Sequence, residues 1–277
     1  MGDAENKVVP ARLHVLPAQK STQALVIRRG PSKRVATIGW DRKSDTFTVG
    51  QWLKGKIYTD LSDISPDGAF WIYSAMSEKN QTWTAVAKPP YLKAIDFYSK
   101  DCYWSGGGLF SSTRSYWLND EGCTFYKEKR FNSGLTVLSQ WNSEPNKQEE
   151  CASVYSYRLV RDGWTQKNIE QVGKHNYITQ FYKSVNKHGQ LWKIFHNGLE
   201  RPVGEGCYYK QYALYIYKNK NLIELPNMEW ADVDKNRIVW AENGMIMSGD
   251  LSKEGLVNQK TLFDTNPLVF TELIAPY

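Results

Sequence analysis

The sequence predicts an all-β fold, a single β-propeller of six blades that spans residues 1–277. Three observations lead to this prediction: strand-like segments dominate the chain, turn motifs separate them, and one motif recurs about every 41 residues. Five or seven blades are also compatible with the uneven spacing of the copies. A β-sandwich or an irregular barrel is the competing architecture.

Seven segments are rich in β-branched and aromatic residues, a composition typical of strands. Turn residues such as those of Ser65–Gly68 and Glu242–Gly244 separate them. No window of about 11 residues sustains the 3.6-residue period of a helix, and only Asn168–Lys174 is predicted to contain a helical turn. The predicted strands are Val35–Trp40, Thr46–Trp52, Ala69–Ser74, Thr82–Ala87, Ser153–Leu159, Tyr208–Tyr217 and Ile238–Ala241.

A repeated motif indicates the number of blades. It consists of an aspartate, a polar turn and a strand that carries a tryptophan. Four-stranded blades contain about 40 to 50 residues, so the observed step favours one blade for each copy. Clear copies are Asp63–Ser74, Asp96–Ser105 and Asp232–Ala241, looser copies are Gly30–Trp40 and Asn186–Phe195, and a sixth begins near Pro145.

The two ends of the chain are predicted to meet. Phe270–Tyr277 resembles Tyr58–Ser65, so we expect the last residues to add a strand to the first blade and close the ring. Closure by a strand removes the unpaired sheet edges that an open ring exposes. Residues 1–20 are predicted to be either a flexible N-terminal segment or one that adds a strand.

The composition excludes a disordered chain, because 41% of the residues are hydrophobic, and no apolar run reaches the roughly 18 residues of a membrane span. The net charge of +6 arises in residues 1–60, which hold 11 basic and 5 acidic residues. No nucleic-acid motif accompanies this basic region, so nucleic acid is not an expected partner. The N-terminus lacks a secretory signal, which predicts a cytoplasmic protein. Its four thiols are then expected to be reduced: Cys102, Cys123, Cys151 and Cys207.

The sequence contains no recognisable motif for catalysis or cofactor binding. There is no nucleophile elbow, P-loop, zinc-protease helix or dinucleotide-binding glycine pattern. His14, His175, His188 and His196 do not share the spacing of metal ligands. Gly106–Gly108 fits a bulge or a close approach of two backbones. We therefore expect no catalytic residue, no metal and no cofactor.

Aromatic residues are abundant, with 11 Trp, 17 Tyr and 10 Phe. Packing of one tryptophan per blade accounts for Trp71, Trp104, Trp192 and Trp240. Other large side chains lie next to charges or turns, and Trp and Arg contribute most to binding at interfaces. The predicted binding surface comprises Trp40, Arg42, Trp52, Lys54, Trp117 and Trp164. For the aromatic members of this surface, burial between blades is the alternative.

Five motifs lie within residues 35–120: Gly50–Tyr58, Leu61–Gly68, Pro89–Ala94, Trp104–Phe110 and Tyr116–Asn119. In these motifs the chain resembles a family of uncharacterised bacterial proteins that are β-propeller-like. The Ser-Pro-Asp-Gly turn before a strand is also similar to the repeats of TolB-like and WD40-like propellers. The resemblance implies a propeller fold and brings no activity, cofactor or catalytic residue.

The expected function is that of a non-catalytic, cytoplasmic bacterial protein-binding propeller. A narrower version is an immunity protein that neutralises a toxin or effector. The alternative is a propeller that binds, or hydrolyses, a small molecule or carbohydrate at the mouth of its central channel. A third hypothesis, nucleic-acid binding through residues 28–43, predicts an affinity that falls steeply with salt.

Overall fold

The computed structural model describes residues 9–31, 33–101, 105–120, 125–126, 133–141, 153–174, 176–198, 206 and 208–277. These residues form twenty strands and one α-helix, so the predicted all-β class is confirmed. The strands form four hydrogen-bonded sheets, of eight, three, five and four strands. This arrangement does not confirm the six blades predicted from the repeat. In the described ranges, no helix is long and apolar enough to cross a bilayer.

Sheet 1 is an antiparallel meander in which each strand pairs with the next as far as β7, which also pairs with β10. Its strands are β1 (Arg12–Pro17), β2 (Gln23–Arg29), β3 (Arg34–Asp41), β4 (Thr46–Ile64), β5 (Trp71–Ser77), β6 (Thr82–Ala87), β7 (Ala94–Lys100) and β10 (Phe125–Tyr126). The long β4 divides the sheet, because Thr46–Lys54 pairs with β3 and Gly55–Ile64 pairs with β5. We call the two parts sheet 1a and sheet 1b.

Gly55 is the residue at which β4 changes partner. Its φ is 153°, and a Cβ there would lie 2.1 Å from the Met76 carbonyl oxygen. Only glycine avoids this overlap, so the bend between sheets 1a and 1b depends on it.

The remaining strands form three smaller sheets. Sheet 2 contains β8 (Gly108–Phe110), β9 (Ser115–Leu118) and β11 (Thr136–Leu138), with β11 parallel to β9. Sheet 3 contains β12 (Thr165–Gly173), β13 (Asn176–Asn186), β14 (Gly189–Asn197), β15 (Tyr208–Ile216) and β16 (Asn221–Glu224). Sheet 4 contains β17 (Trp230–Asp234), β18 (Arg237–Glu242), β19 (Met245–Ser252) and β20 (Gly255–Asp264). The helical turn predicted at Asn168–Lys174 is wrong, because most of this segment belongs to β12.

Both faces of β2, in the interior of sheet 1a, are buried. Leu25, Val26 and Ile27 of β2 are completely inaccessible to solvent. Leu25 and Ile27 pack in the same cluster as Trp71 of sheet 1b, whereas Val26 packs in the same cluster as Trp230 of sheet 4. A strand covered on both faces has a continuous apolar sequence instead of an alternating one, as this strand does.

Hydrophobic clusters connect the sheets in a closed order, which we call the ring. Sheet 4 packs on sheet 1a, sheet 1a on sheet 1b, and sheet 1b on sheet 2. Sheet 2 packs on the helix α1 (Ser153–Arg161), which packs on sheet 3, and sheet 3 packs on sheet 4. The beginning and end of the sheet order therefore meet through side chains.

The predicted closing strand at Phe270–Tyr277 is wrong. The last strand ends at Asp264, and residues 265–277 form no strand. Pro267 and Pro276 lack the N–H group that a strand ladder needs, and the segment binds sheet 1 through side chains instead. Within residues 1–20, β1 forms one edge of sheet 1, and residues 1–8 lie outside the described residues.

The strand predicted at Ser153–Leu159 is also wrong, because this segment is helical. Its composition favours a strand, but the burial pattern is that of a helix: Val154, Tyr155, Arg158 and Leu159 are buried. These positions recur four residues apart and place one face of α1 between sheets 2 and 3. Tertiary packing here overrides local propensity.

Candidate functional site

The helix α1 is bonded to strands β1 and β4 through buried polar groups. Arg158 donates hydrogen bonds to the carbonyl oxygens of Thr59, at 3.2 Å, and Ser62, and its Nη2 lies 3.0 Å from His14 Nε2. A guanidinium has only donors, so His14 Nε2 accepts and the ring proton resides on Nδ1. Burial lowers the pKa of His14 well below its usual value, which keeps the imidazole neutral.

Arg161 forms a second bond between α1 and β4. Its Nη1 and Nη2 donate to the two oxygens of Asp63, at 2.5 and 2.7 Å, and Nη1 also donates to the Phe110 carbonyl oxygen at 2.9 Å. The Phe110 amide donates to Asp63 Oδ2 at 2.8 Å, which joins sheet 2 to the same pair. Burial opposes the charged form of Arg161, but Asp63 and Asp162 raise its pKa. Both charges are satisfied within the fold.

Two lysines of sheet 3 are buried beside α1. Lys210 Nζ lies 2.5 Å from Asp60 Oδ1, and although burial lowers the pKa of Lys210, this carboxylate opposes the effect. Lys193 Nζ lies 4.0 Å from the centre of the Trp164 ring. Burial lowers the pKa of Lys193 to about 7, so its charge changes near neutral pH.

A cavity of about 370 Å³ opens among β1, α1, β13 and β17, and we call it the ring pocket. Its carboxylates are paired, Asp162 with Arg161 at 3.0 Å and Asp232 with Lys183 at 2.9 Å. Burial raises the pKa of Asp162, whereas Lys183 holds the pKa of Asp232 below its usual value despite burial. The polar side chains that line the pocket are Gln19, Arg42, Arg161, Asp162, Lys183 and Asp232.

A second polar region lies on sheet 1, where residues 265–277 cross β2, β3, β4 and the loop between β6 and β7. We call it the terminal surface. It consists of five cationic side chains and two aromatic rings, and the rings of Phe270 and Tyr277 lie on it. Its members are Arg28, Arg34, Lys54, Lys88 and Lys93, with Trp52 and Tyr91.

The cations of the terminal surface have aromatic partners in place of carboxylates. The guanidinium of Arg28 lies 5.4 Å from the centre of the Trp52 ring. Arg34 and Lys54 each place their charge 5.3 Å from the centre of the Phe270 ring. Within the described part of the chain, none of the five cations forms an ion pair. Arg34, Lys54, Lys88 and Lys93 are exposed, so their charge is available to an external anionic group. Arg28 is buried and donates to the carbonyl oxygens of Thr265 at 3.0 Å and Gly30 at 2.9 Å.

An aromatic groove of about 340 Å³ adjoins the terminal surface. Trp52, Trp83 and Phe97 contribute rings to its walls, and Lys93 contributes a charge. Gln51 stands between the groove and the terminal segment, because its Oε1 accepts from the Leu92 amide at 2.7 Å while its Nε2 donates to a carbonyl of residues 265–277. An apolar recess beside a cationic rim is the usual composition of a protein interface.

Three members of the predicted binding surface are core residues. Trp40, Trp117 and Trp164 are 0%, 6% and 2% exposed. Trp40 packs between sheets 1a and 4, Trp117 between sheet 2 and α1, and Trp164 between α1 and sheet 3. Their neighbours in sequence are polar, but the strands place the indoles in the sheet interfaces. We therefore remove these three residues from the predicted surface.

The other three members lie in two different places. Arg42 donates to Asp234 at 2.9 Å and to the carbonyl oxygens of Ala18 and Ser21, so it connects sheet 1a to sheet 4 at the ring pocket. Trp52 and Lys54 lie together in the terminal surface. The structure therefore brings together two of the six predicted residues on an accessible surface.

The four tryptophans predicted to pack one per blade lie in different environments. Trp71 and Trp240 are buried between sheets, as predicted. Trp192 lies half-buried on the outer face of sheet 3, stacked with Tyr182 at a ring separation of 5.5 Å. Trp104 lies outside the described residues.

The close approach predicted at Gly106–Gly108 is confirmed. A Cβ on Gly107 would lie 1.6 Å from the Leu61 carbonyl oxygen, so sheet 2 approaches β4 through bare backbone. In the described ranges, no three His, Cys, Asp or Glu side chains gather as metal ligands. The four cysteines, whose reduced state is predicted above, lie outside the described residues.

Sequence reasoning did not identify the aromatic members of the terminal segment as site residues. Phe270 and Tyr277 were assigned to a strand, whereas they supply the rings that the terminal surface binds. Two prolines within a short terminal segment were the available signal that this segment is not a strand. No family model matches this chain, and no curated protein matches it.

Proposed function

We propose that the ring is a propeller of five units, in the order sheet 1a, sheet 1b, sheet 2, sheet 3 and sheet 4. Two features support this interpretation: sheets 1a, 1b and 4 are antiparallel meanders, and the order of packing returns to its start. The helix α1 then lies between the third and fourth units. A rigid ring of this kind presents its edges and loops as binding surfaces.

We propose that the protein is a non-catalytic protein-binding domain whose terminal surface binds an acidic segment of another protein. The observation that carries this proposal is the set of four exposed cations, Arg34, Lys54, Lys88 and Lys93, which lie against aromatic rings and form no ion pair within the described residues. Such cations attract an acidic partner and orient it before contact. The adjoining groove offers a recess for an apolar side chain of the partner.

The ring pocket supports a structural role better than a catalytic one. Asp162 accepts hydrogen bonds from Gln19 and Arg161, and Asp232 accepts from Lys183 and from the Val233 amide. A general acid or base needs a carboxyl group that can reach a substrate proton. Here these hydrogen bonds, all to Oδ1, fix the orientation of each carboxylate as part of the fold.

The proposal is tested by capture from an extract of the native organism with matched charge-reversed baits. We expect the Arg34→Glu/Lys54→Glu protein to lose an acidic partner that the wild type retains. The control, Lys218→Glu/Lys253→Glu, makes the same change in net charge at exposed residues that lie near Glu254, and it should retain the partner. An acidic partner captured equally by all three baits contradicts the proposal.

A narrower form of this proposal is that the partner is a toxin or effector and that binding neutralises it. The same charge-reversed pair tests this form. Co-expression with the identified partner should protect cells when the wild type or the control is present, and should fail with the Arg34→Glu/Lys54→Glu protein.

A second candidate function is binding or hydrolysis of a small molecule or carbohydrate at the ring pocket. The opposite pKa shifts of Asp162 and Asp232 favour it, because such divergence separates an acid from a base. Assays with chromogenic aryl glycosides and esters test it directly. Turnover that Asp162→Asn abolishes supports this candidate, and the absence of any turnover removes its hydrolytic form.

A further inference from the structure

We propose that residues 266–277, the terminal segment, are an internal occupant of the terminal surface, which a partner displaces with an extended acidic segment that carries two aromatic anchors. This inference rests on the proposed function, since it names the kind of partner that the same surface binds. The terminal segment shows which side chains the terminal surface accepts, because it lies on that surface without forming a strand.

The first anchor is Phe270. Its ring centre lies 5.9 Å from that of Trp52, and the charges of Arg34 and Lys54 lie 5.3 Å from it on β3 and β4. This site accepts any aromatic ring that can fit between two cations and an indole. Selection depends on the ring and not on a hydrogen bond.

The second anchor is Tyr277. Its hydroxyl donates to the Lys93 carbonyl oxygen at 2.8 Å and accepts from the Lys88 amide at 3.1 Å. The ammonium groups of the same two lysines lie 5.3 and 5.1 Å from the ring centre, and the ring packs against Tyr91 at 6.0 Å. This second site favours tyrosine over phenylalanine, because phenylalanine would leave both backbone groups without this partner.

The chain between the anchors is weakly held. Gln51 Nε2 donates a hydrogen bond to the Leu273 carbonyl oxygen at 2.7 Å. Leu273 and Ile274 are 44% and 91% exposed, whereas Ala275 is buried. Between its two aromatic sites the terminal segment is therefore held by this hydrogen bond and by the burial of Ala275, and its other side chains face solvent.

The charge of the terminal segment does not match the surface beneath it. Between Phe270 and Tyr277 the segment carries one acidic side chain, Glu272, against the four exposed cations of the terminal surface. A partner with the same two rings and more carboxylates has additional favourable interactions that the terminal segment lacks. Because of this mismatch, a more acidic partner can displace the segment. The segment is tethered to the surface at an effective concentration of about millimolar, so a partner must bind tightly enough to compete with it.

The inference is tested with a labelled peptide that has the sequence of residues 265–277 and with the full chain in three forms. The Phe270→Ala/Tyr277→Ala protein has both internal anchors removed, and Ile274→Ala is the matched control at an exposed position. We expect the double variant to bind the peptide at least tenfold more tightly than the wild type or the control. Peptide with both aromatic residues replaced by Ala should not bind.

A second peptide measures the contribution of charge. Replacing Val269 and Ile274 with Glu in the peptide adds carboxylates at positions that are exposed in the bound segment. We expect this peptide to bind the double variant several-fold more tightly, and the gain should disappear in high salt. Equal binding of the two peptides contradicts the acidic partner.

Hydrogen exchange in the wild-type protein is a second test, which does not require the double variant to fold. Amides of residues 268–275 should exchange faster when a copolymer of Glu and Tyr is added, because the copolymer displaces the terminal segment. Copolymer binding that depends on Arg34 and Lys54 without faster exchange overturns this inference alone, whereas no copolymer binding also contradicts the proposed function. If oligothymidine displaces the terminal segment and the copolymer does not, the partner is a nucleic acid, and the proposal of an acidic protein segment is overturned.

Discussion

The ring centre consists of the cations on or beside α1, which are Arg158, Arg161, Lys193 and Lys210, with their partners. It and the terminal surface are both rich in cations and aromatic rings, but of the two only the ring centre pairs cations with carboxylates among the described residues. Arg161 is paired with buried Asp63, and Lys210 with Asp60. Arg34 and Lys54 contact the Phe270 ring and form no ion pair within the described part of the chain. Cations that form ion pairs with carboxylates stabilise the fold, whereas cations that form none are available to a partner. The number of charges does not distinguish the two regions.

The largest expected effect on stability follows from removing a carboxylate of the ring centre. Asp63→Ala removes one of the two carboxylates that pair with Arg161, which keeps Asp162, and leaves the Phe110 amide without its acceptor. We expect a loss of about 3–5 kcal/mol in the free energy of unfolding, measured by urea denaturation. Lys218→Met, which removes an exposed pair, should change stability by less than about 1 kcal/mol. Similar losses in the two variants would contradict the distinction.

Two tryptophans predicted together from sequence sharpen the comparison. Trp40→Ala removes a core side chain and should reduce the free energy of unfolding by about 3–5 kcal/mol. Trp52→Ala acts at the terminal surface and should cost about 1 kcal/mol while weakening binding of the Glu-Tyr copolymer. Urea denaturation and fluorescence anisotropy measure the two effects. Equal stability losses would show that Trp52 is a core residue.

Lys193 is the exception within the ring centre, because its cation lies on Trp164 and it has a pKa of about 7. An unfolded lysine titrates near 10.4, so between about pH 7 and 10 the unfolded chain binds more protons and stability rises with pH. We expect Lys193→Met to be more stable than the wild type at pH 7. Their difference should shrink by up to about 1.4 kcal/mol for each pH unit above 7.

Urea denaturation at three pH values measures this effect. Lys167→Met is the matched control, since Lys167 is exposed and its ammonium lies over the Trp192 ring at 4.7 Å. Its difference from the wild type is the baseline against which the difference for Lys193→Met is compared at each pH. A difference for Lys193→Met that stays constant or grows from pH 7 to 9 would contradict the buried, titrating lysine.

The smallest expected effect on stability is at the terminal surface. Arg34→Glu/Lys54→Glu changes side chains without internal ion pairs, so the free energy of unfolding should change by about 0.5 kcal/mol or less. Thermal unfolding measures this change, with Lys218→Glu/Lys253→Glu as the control. A large loss in the first variant alone would mean that these cations hold the fold.

Local composition predicted the all-β class and many strands, because β-branched and aromatic residues reveal a buried pleated surface. It did not predict α1, whose residues Val154, Tyr155 and Arg158 form a helix because sheets 2 and 3 leave a space that a helix fills. The sequence pattern also treated Trp40 and Trp52 alike, since both precede a charged residue within two positions. Their burial differs because it depends on which sheet covers each one.

The candidate site was predictable only in part. Trp52 and Lys54 were identified from their neighbours, but their partner Phe270 lies about 218 residues away along the chain. No local pattern reports that contact. That these cations form no ion pair within the described residues is likewise a property of the folded surface and not of any segment.

The most direct test of the account is the affinity of the full chain for a labelled Glu-Tyr copolymer, measured by fluorescence anisotropy for the wild type and both charge-reversed variants. We expect Arg34→Glu/Lys54→Glu to bind at least tenfold more weakly than the wild type, and Lys218→Glu/Lys253→Glu to bind like the wild type. The wild-type affinity should also fall as salt is raised. Equal loss of binding in both variants would mean that net charge alone attracts the copolymer, and it would contradict a specific terminal surface.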